Sequence, residues 1–425
     1  MNKLLPFLFL CLFLKNSLAQ IRYEDFESGV PVNFSSNISG SLSANGLHKK
    51  KGTQSLSWNA KNNDILTISN LQIPASEIYN YSANSAQFWI YSKVVTNDTL
   101  IFKFFDNSNI LKREGRIVLN YSGWRDFHRS YRYDYNSGTE QSGFLLNRIT
   151  ITYKGYQGTI AQNQVFLDEM TFAGNGDIRV PGPHNADYQN FRFTSNYTKA
   201  ILAYQNQADI ATSNATPQEI NAIQTLKSQY QRTVGSANAT QIATAKAYVN
   251  GLNITANADG TLNGKGIYDI YKLDTLLKIS NYVSYLSRAY IKNNDADALS
   301  KLNSFVAYVL DQGLAEGGRM VMPYNDYSSA RNFPIGFLEA LPLLPNTIVK
   351  DAVIKMLKWS HEFNNIYNAN PTPGLELDYM YLKSNLLLEL ALTDTDNDII
   401  ARDLKSFSRY LEQYTYTSEG ERDGI

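Results

Sequence analysis

Thr99-Leu-Ile-Phe-Lys-Phe-Phe105 puts Leu100, Phe102 and Phe104 at alternate positions, the period-two pattern of a strand with one face toward a core. Outward from it the pattern repeats in Ser55-Leu-Ser-Trp-Asn59, Ile65-Leu-Thr-Ile-Ser69 and Ala86-Gln-Phe-Trp-Ile-Tyr91. It continues through Arg116-Ile-Val-Leu-Asn120, Asn147-Arg-Ile-Thr-Ile-Thr-Tyr153 and Val165-Phe-Leu-Asp168. Gly, Asn, Ser and Asp clusters separate these short runs, and no helical period falls between them. An antiparallel β-sandwich is expected over residues 20–175, not βαβ units.

The period then changes. Pro181-Gly-Pro183 lies in a stretch, 176–197, that neither strand nor helix can cross, because proline fixes φ and removes an N–H donor. Thr216-Pro-Gln-Glu219 is a helix start, with Thr216 as N-cap, Pro217 at the first helical position and Glu219 completing a capping box. Helices are expected at 237–249, 270–292, 295–313, 334–344, 346–365, 378–392 and 397–414, so residues 198–425 read as an all-α domain.

The N-terminus reads as a secretory signal over residues 1–19: Lys3, an apolar run from Leu4 to Leu14, and Ser17-Leu-Ala19 before Gln20. The run is shorter than the roughly 20 residues of a membrane span. Cys11, within it, is the one cysteine of the chain, so the mature protein has neither a disulfide framework nor a thiolate metal site. A secreted or periplasmic location is expected. Without Lys3 and Lys15 the 39 basic residues become 37 against 39 acidic, a net charge of −2, which offers nucleic acid no electrostatic footprint. Tyrosine is abundant, 29 against 4 histidines, and its flat face with a hydroxyl suits sugar rings.

Several segments resemble a known family. Asp311-Gln-Gly313, Tyr327-Ser-Ser-Ala-Arg331, Leu375-Glu-Leu-Asp-Tyr379 and Glu421-Arg-Asp-Gly424 are similar to the catalytic half of the chondroitin sulfate ABC lyases, a branch of the hyaluronate and chondroitin lyases. Phe26-Glu-Ser-Gly29, Lys51-Gly-Thr-Gln-Ser-Leu56, Gly123-Trp-Arg125 and Phe166-Leu-Asp168 resemble the jelly-roll N-terminal domain of the same branch. The resemblance implies a jelly-roll sandwich followed by an (α/α) toroid. It also implies that the catalytic histidine and tyrosine follow the closing Asp-Gly. With Ile425 last, the toroid is expected to be incomplete and the chain inactive by itself.

The family's chemistry is β-elimination on uronic acid-containing glycans such as chondroitin or dermatan sulfate. The substrate carboxylate must be neutralised, the C5 proton removed and a proton given to the departing O4. Arg331 and Asn332 are the candidates for binding the carboxylate or a sulfate, in a loop whose competing role is to cap a neighbouring helix. This loop departs from the family pattern: Ala330 is an extra residue, and Pro323-Tyr-Asn-Asp326 stands where those lyases have histidines and a tryptophan. Glu376 and Asp378, with Tyr327, offer oxygen ligands for Ca²⁺ or Mg²⁺, or else an acidic pair complementing a helix dipole. No catalytic base is identified. His48, His128, His184 and His361 read as polar or capping residues. Asn294-Asp-Ala-Asp297 and Asp394-Thr-Asp-Asn-Asp398 read as caps at helix junctions. A lyase acting on an anionic polysaccharide leads, with a glycan-binding protein lacking catalysis as the alternative.

Overall fold

The structure, a computed structural model, describes residues 23–75, 84–131, 144–156, 163–175, 209, 214–229, 233–318, 333–344, 348–357, 397–398, 400–402 and 404–405. The chain divides into two compact units, Met1–Asn190 and Phe191–Ile425. The first is antiparallel β and the second helical.

Among the described residues the first unit has twelve strands: β1 (Tyr23–Glu24), β2 (Phe34–Ser36), β3 (Leu42–Asn45), β4 (Ser55–Ala60), β5 (Ile65–Ile68), β6 (Ile73–Ala75), β7 (Asn84–Ser92), β8 (Thr99–Asp106), β9 (Leu111–Val118), β10 (Gly123–Ser130), β11 (Phe144–Lys154) and β12 (Asn163–Asn175). One sheet runs β10-β7-β12-β4-β3 with β1 on β12; the other runs β2-β5-β11-β8-β9 with β6 on β11. Every pairing is antiparallel.

The core lies between the sheets. The alternation in β8 becomes burial of Leu100, Phe102, Phe104 and Asp106, with the residues between half-exposed. Phe88 of β7 and Phe127 of β10 stack at 4.7 Å, and Phe102 of the opposite sheet lies 4.3 Å from Phe127. Leu56, Trp58, Ile90, Ile149, Ile151, Val165 and Leu167 join the same cluster. β1, β2, β3 and β6 lie outside the expected strands because such short segments carry too few alternations to register, and the greater part of β9 does so because its buried positions are Arg113 and Gly115, which give no apolar alternation.

In the second unit the helices are α1 (Pro217–Gln229), α2 (Ala239–Gly251), α3 (Leu273–Asn293), α4 (Ala296–Asp311) and α5 (Phe333–Ala340), with a 3₁₀ turn at Leu341–Leu343 and helix again at 348–357. The expected capping box forms: the Glu219 N–H donates to Thr216 Oγ1 at 3.2 Å, and the Thr216 N–H donates to Glu219 Oε2 at 2.7 Å. A second box, Asn238 with Gln241, starts α2. The helix expected from 295 to 313 ends at Asp311, and that from 334 to 344 tightens into the 3₁₀ turn at Pro342. A small hairpin, β13 (Thr255–Ala256) and β14 (Leu262–Asn263), interrupts the helices, its turn closed by Gly260 at φ +81°.

Candidate functional site

Tyr327, Arg331, Asn332, Glu376 and Asp378 lie outside the described residues, as do Pro181–Pro183, His184, His361 and Glu421–Gly424. What the structure describes is the framework on either side of the stretch 319–332. On its N-terminal side, Asp311-Gln-Gly313 closes α4. The buried Gln312 side chain accepts the Ile267 N–H at 3.0 Å, and Gly313, at φ +107°, offers its carbonyl to the Tyr271 hydroxyl at 2.7 Å. Gly318 packs against both Gly313 and Tyr271, where a Cβ would collide with the Gly313 carbonyl and the Tyr271 hydroxyl. This signature terminates a helix and turns the chain.

On the C-terminal side stands α5, buried over nearly its whole circumference. Gly336 lets it approach the backbone of Ser280 in α3, and its N–H donates to Ser280 Oγ at 3.3 Å. One turn on, the Glu339 carboxylate, 2 % exposed, accepts Arg288 Nη2 at 2.8 Å, Arg288 Nε at 3.0 Å and Ser284 Oγ at 2.5 Å. The forked, charge-assisted geometry fixes the rotation of α5 as well as its distance. Sequence reading missed this pair: Arg288 and Glu339 are 51 positions apart and belong to no motif.

An elimination needs a base, and a tyrosine serves only if cations lower its pKa. Tyr248 and Tyr308 show the reverse. Burial pushes both hydroxyls up, with Tyr282 adding to the effect on Tyr248, and Asp311 and Tyr248 to that on Tyr308. Tyr248 instead packs in an aromatic cluster, 5.0 Å from Tyr282 and 5.8 Å from Phe305, while Tyr308 donates to the Lys265 carbonyl at 2.9 Å. Asn294-Asp-Ala-Asp297 is a helix junction, as expected. Asn294 adopts αL at the end of α3, Asp295 caps α4 through the Ala298 N–H, and the Lys246 ammonium bridges Asp295 and Asp297 at 2.8 Å each. Asp398, in the other acidic run, accepts the Ala215 N–H at 2.8 Å. Among the described residues no group of three or more His, Cys, Asp or Glu is placed to hold a metal ion.

In the sandwich, three separated signatures converge on one loop. The Glu27 carboxylate accepts the Thr53 N–H at 2.7 Å, the Gln54 N–H at 2.9 Å and the Thr53 hydroxyl at 2.6 Å. These bonds, the Thr53 hydroxyl foremost, hold its pKa below the usual range. Gly52, at φ +63°, admits the carboxylate where a Cβ would strike it. From the other side, fully buried Asp168 accepts the N–H groups of Lys50 at 2.6 Å, Lys51 at 3.2 Å and Glu169 at 2.8 Å. Burial nevertheless pushes Asp168 up to about 7. The clamped loop lays His48 on Tyr91 at 4.0 Å and the Lys50 ammonium 3.8 Å from the centre of the Trp89 ring. His48 is a packed ring, 3 % exposed, with Phe166 at its edge 4.7 Å away. His128 lies on β10, its side chain outside the described residues.

The family model described as "Lyase, catalytic" matches residues 210–425, and that described as "Lyase, N terminal" matches residues 20–185. This chain belongs to the chondroitin lyase family. A similar relative of this lyase-family chain is the chondroitin sulfate ABC exolyase of Proteus vulgaris, 23 % identical over 390 residues. The match covers 81 % of this chain and 38 % of that relative's length. Two solved structures are also similar in part. The family 11 carbohydrate-binding module of Clostridium thermocellum, solved with a β-1,3-1,4-mixed-linked tetrasaccharide, has 15 % identity and a TM-score of 0.26 over 36 % of this chain and 95 % of that one. The CBM22-2 xylan-binding domain of Paenibacillus barcinonensis has 14 % identity and a TM-score of 0.27 over 36 % and 99 %.

Within the lyase family frame, the loop clamp falls in the N-terminal match. The two anchors of 319–332 fall in the catalytic match, as do the positions Tyr327, Arg331, Asn332, Glu376 and Asp378.

Proposed function

We propose that this chain is an exported polysaccharide lyase that cleaves uronic acid-containing glycans, of the chondroitin and dermatan sulfate class, by β-elimination. The observation that carries the proposal is the catalytic family match over residues 210–425, in a chain whose sequence signatures at Tyr327–Arg331 and Leu375–Tyr379 are those of that chemistry. The run from Lys3 to Ala19 supports export, and no described helix is long and apolar enough to cross a membrane. The strand segments quoted from 26 to 168 support a jelly roll, and the paired helices support an α/α toroid.

In the proposed reaction Arg331 and Asn332 neutralise the substrate carboxylate, which acidifies the C5 proton. The base is sought among Tyr324, Tyr327 and Tyr379, since Tyr248 and Tyr308 are raised away from ionisation and occupied in packing. Tyr327, Glu376 and Asp378 are the oxygen donors proposed for Ca²⁺ or Mg²⁺, the hard cations that such ligands select.

Elimination leaves a C4–C5 double bond conjugated to the carboxylate, so product absorbs in the ultraviolet. A gain of this absorbance when chondroitin sulfate is incubated with the chain would support the catalytic reading and overturn the expectation that the chain is inactive by itself. A flat trace on chondroitin, dermatan sulfate and hyaluronan alike would overturn the catalytic reading and leave glycan binding in its place.

A further inference from the structure

In an asparagine followed by glycine the side-chain carboxamide is open to attack by the next backbone nitrogen, because glycine has no Cβ to hinder the approach. The chain has four such pairs, Asn45-Gly46, Asn175-Gly176, Asn250-Gly251 and Asn263-Gly264. Gly176 lies outside the described residues, and the other three pairs are held differently. Asn250 sits in the last turn of α2, where the Gly251 amide belongs to the helical backbone and Asn250 Oδ1 accepts Lys301 Nζ at 2.6 Å. In β14 the Gly264 N–H donates to Asn263 Oδ1 itself at 2.8 Å, which aims the N–H bond, rather than the attacking face of the nitrogen, at the carboxamide. Gly264 is also enclosed: a Cβ there would meet the Leu252 carbonyl and the Tyr308 hydroxyl.

Asn45-Gly46 is arranged for the reaction. Asn45 ends β3, paired with Ser55, and Gly46 and Leu47 are exposed beyond it. The Leu47 N–H donates to Asn45 Oδ1 at 2.7 Å, closing an Asx turn around Gly46. The hydrogen-bonded ring passes through Gly46, so it holds the carboxamide carbon close to the Gly46 nitrogen. The same bond polarises the carboxamide carbonyl and stabilises the oxyanion that attack creates. Lys49 Nζ, 3.3 Å from the Gly46 carbonyl, adds positive charge beside the turn, and exposure gives water access to it.

We infer that Asn45 is a site of spontaneous deamidation, by which the loop between β3 and β4 is covalently altered as the protein ages. The Gly46 nitrogen attacks Asn45 Cγ: an N–Cγ bond forms, the Cγ–Nδ2 bond breaks, and the Gly46 proton leaves with Nδ2 as ammonia. Water then opens the succinimide at Cγ to give isoaspartate's counterpart, aspartate, when the N–Cγ bond breaks, or at the Asn45 main-chain carbonyl carbon to give isoaspartate. The net change is amide nitrogen exchanged for oxygen, with water consumed and ammonia released. Either product places a carboxylate near Lys49, and isoaspartate adds a methylene to the main chain at the base of the loop that Glu27 and Asp168 grip. To test this, the full chain is incubated at mildly alkaline pH, folded and in urea, and its tryptic peptides are followed by mass spectrometry with fragmentation that separates aspartate from isoaspartate. In the folded chain Asn45 is expected to convert roughly tenfold or more faster than Asn250 and Asn263, because orientation of the reacting atoms sets the rate. In urea, where those orientations are lost, the three rates should converge. The variant Asn45→Gln, whose longer side chain closes a ring less readily, should melt as the parent does and leave this peptide unmodified. Protection of Asn45 in the folded chain to the extent of Asn250 overturns the inference. So does modification of the same peptide at the parent's rate in Asn45→Gln. The readout is a covalent change, so its outcome is independent of whether the lyase assignment holds.

Discussion

Asp168 shows how burial and hydrogen bonding oppose each other at a single side chain. Three N–H groups favour its carboxylate, yet the loss of water outweighs them and raises its pKa from 3.8 to about 7. The folded state then holds a proton that the unfolded chain releases. Stability is greatest below the unfolded pKa, falls as pH rises from about 4 to about 7, and is level above that as far as this group is concerned. Urea unfolding of the parent should follow this slope by a few kcal/mol at most, and Asp168→Asn should flatten it; an equal slope in the variant would refute the assignment. At the other unit, Arg331→Ala should lower turnover by roughly a hundredfold or more if the guanidinium neutralises the reacting carboxylate. Its effect should fall on kcat more than on KM. A variant with parental kcat would remove Arg331 from the chemistry.

At the scale of elements, periodicity and caps were the legible signals. Thr216-Pro-Gln-Glu219 could be read as a helix start because the four residues that satisfy one another are contiguous. Thr216→Ala is expected to cost about 1 kcal/mol in helix stability. The anchoring of α5 on α3 was not legible, because Gly336, Glu339, Ser280, Ser284 and Arg288 meet only when two distant helices pack. Arg288 keeps 22 % of its surface exposed, so Glu339→Ala should cost about 2–3 kcal/mol, less than the roughly 3–5 of a fully buried pair. Gly336→Ala should cost about 1–3 kcal/mol by forcing the helices apart at Ser280. Denaturant melts report both. If α5 positions the residues that precede it, turnover should fall in these variants even under conditions where they remain folded.

At the scale of the whole molecule, the chain divides into two units of different architecture. The β unit contains the N-terminal match, and the helical unit spans the catalytic match. If Tyr327, Glu376 and Asp378 hold Ca²⁺ or Mg²⁺, treatment with a chelator should lower both turnover and the melting temperature of the helical unit. Adding the cation back should restore both. A melt indifferent to chelator would return Glu376 and Asp378 to the role of a helix-dipole pair.

The sequence by itself determined the order of β then α and the identity of most long strands and helices. It also carried the family signatures, because period and motif are local properties of neighbouring residues. Only the tertiary structure decided that Glu27 and Asp168 grip the same loop and that Glu339 meets Arg288. Each of these depends on strand register or helix packing between residues far apart in the chain. Which partner a carboxylate finds is settled where strand pairing or helix packing brings the two within a few ångströms.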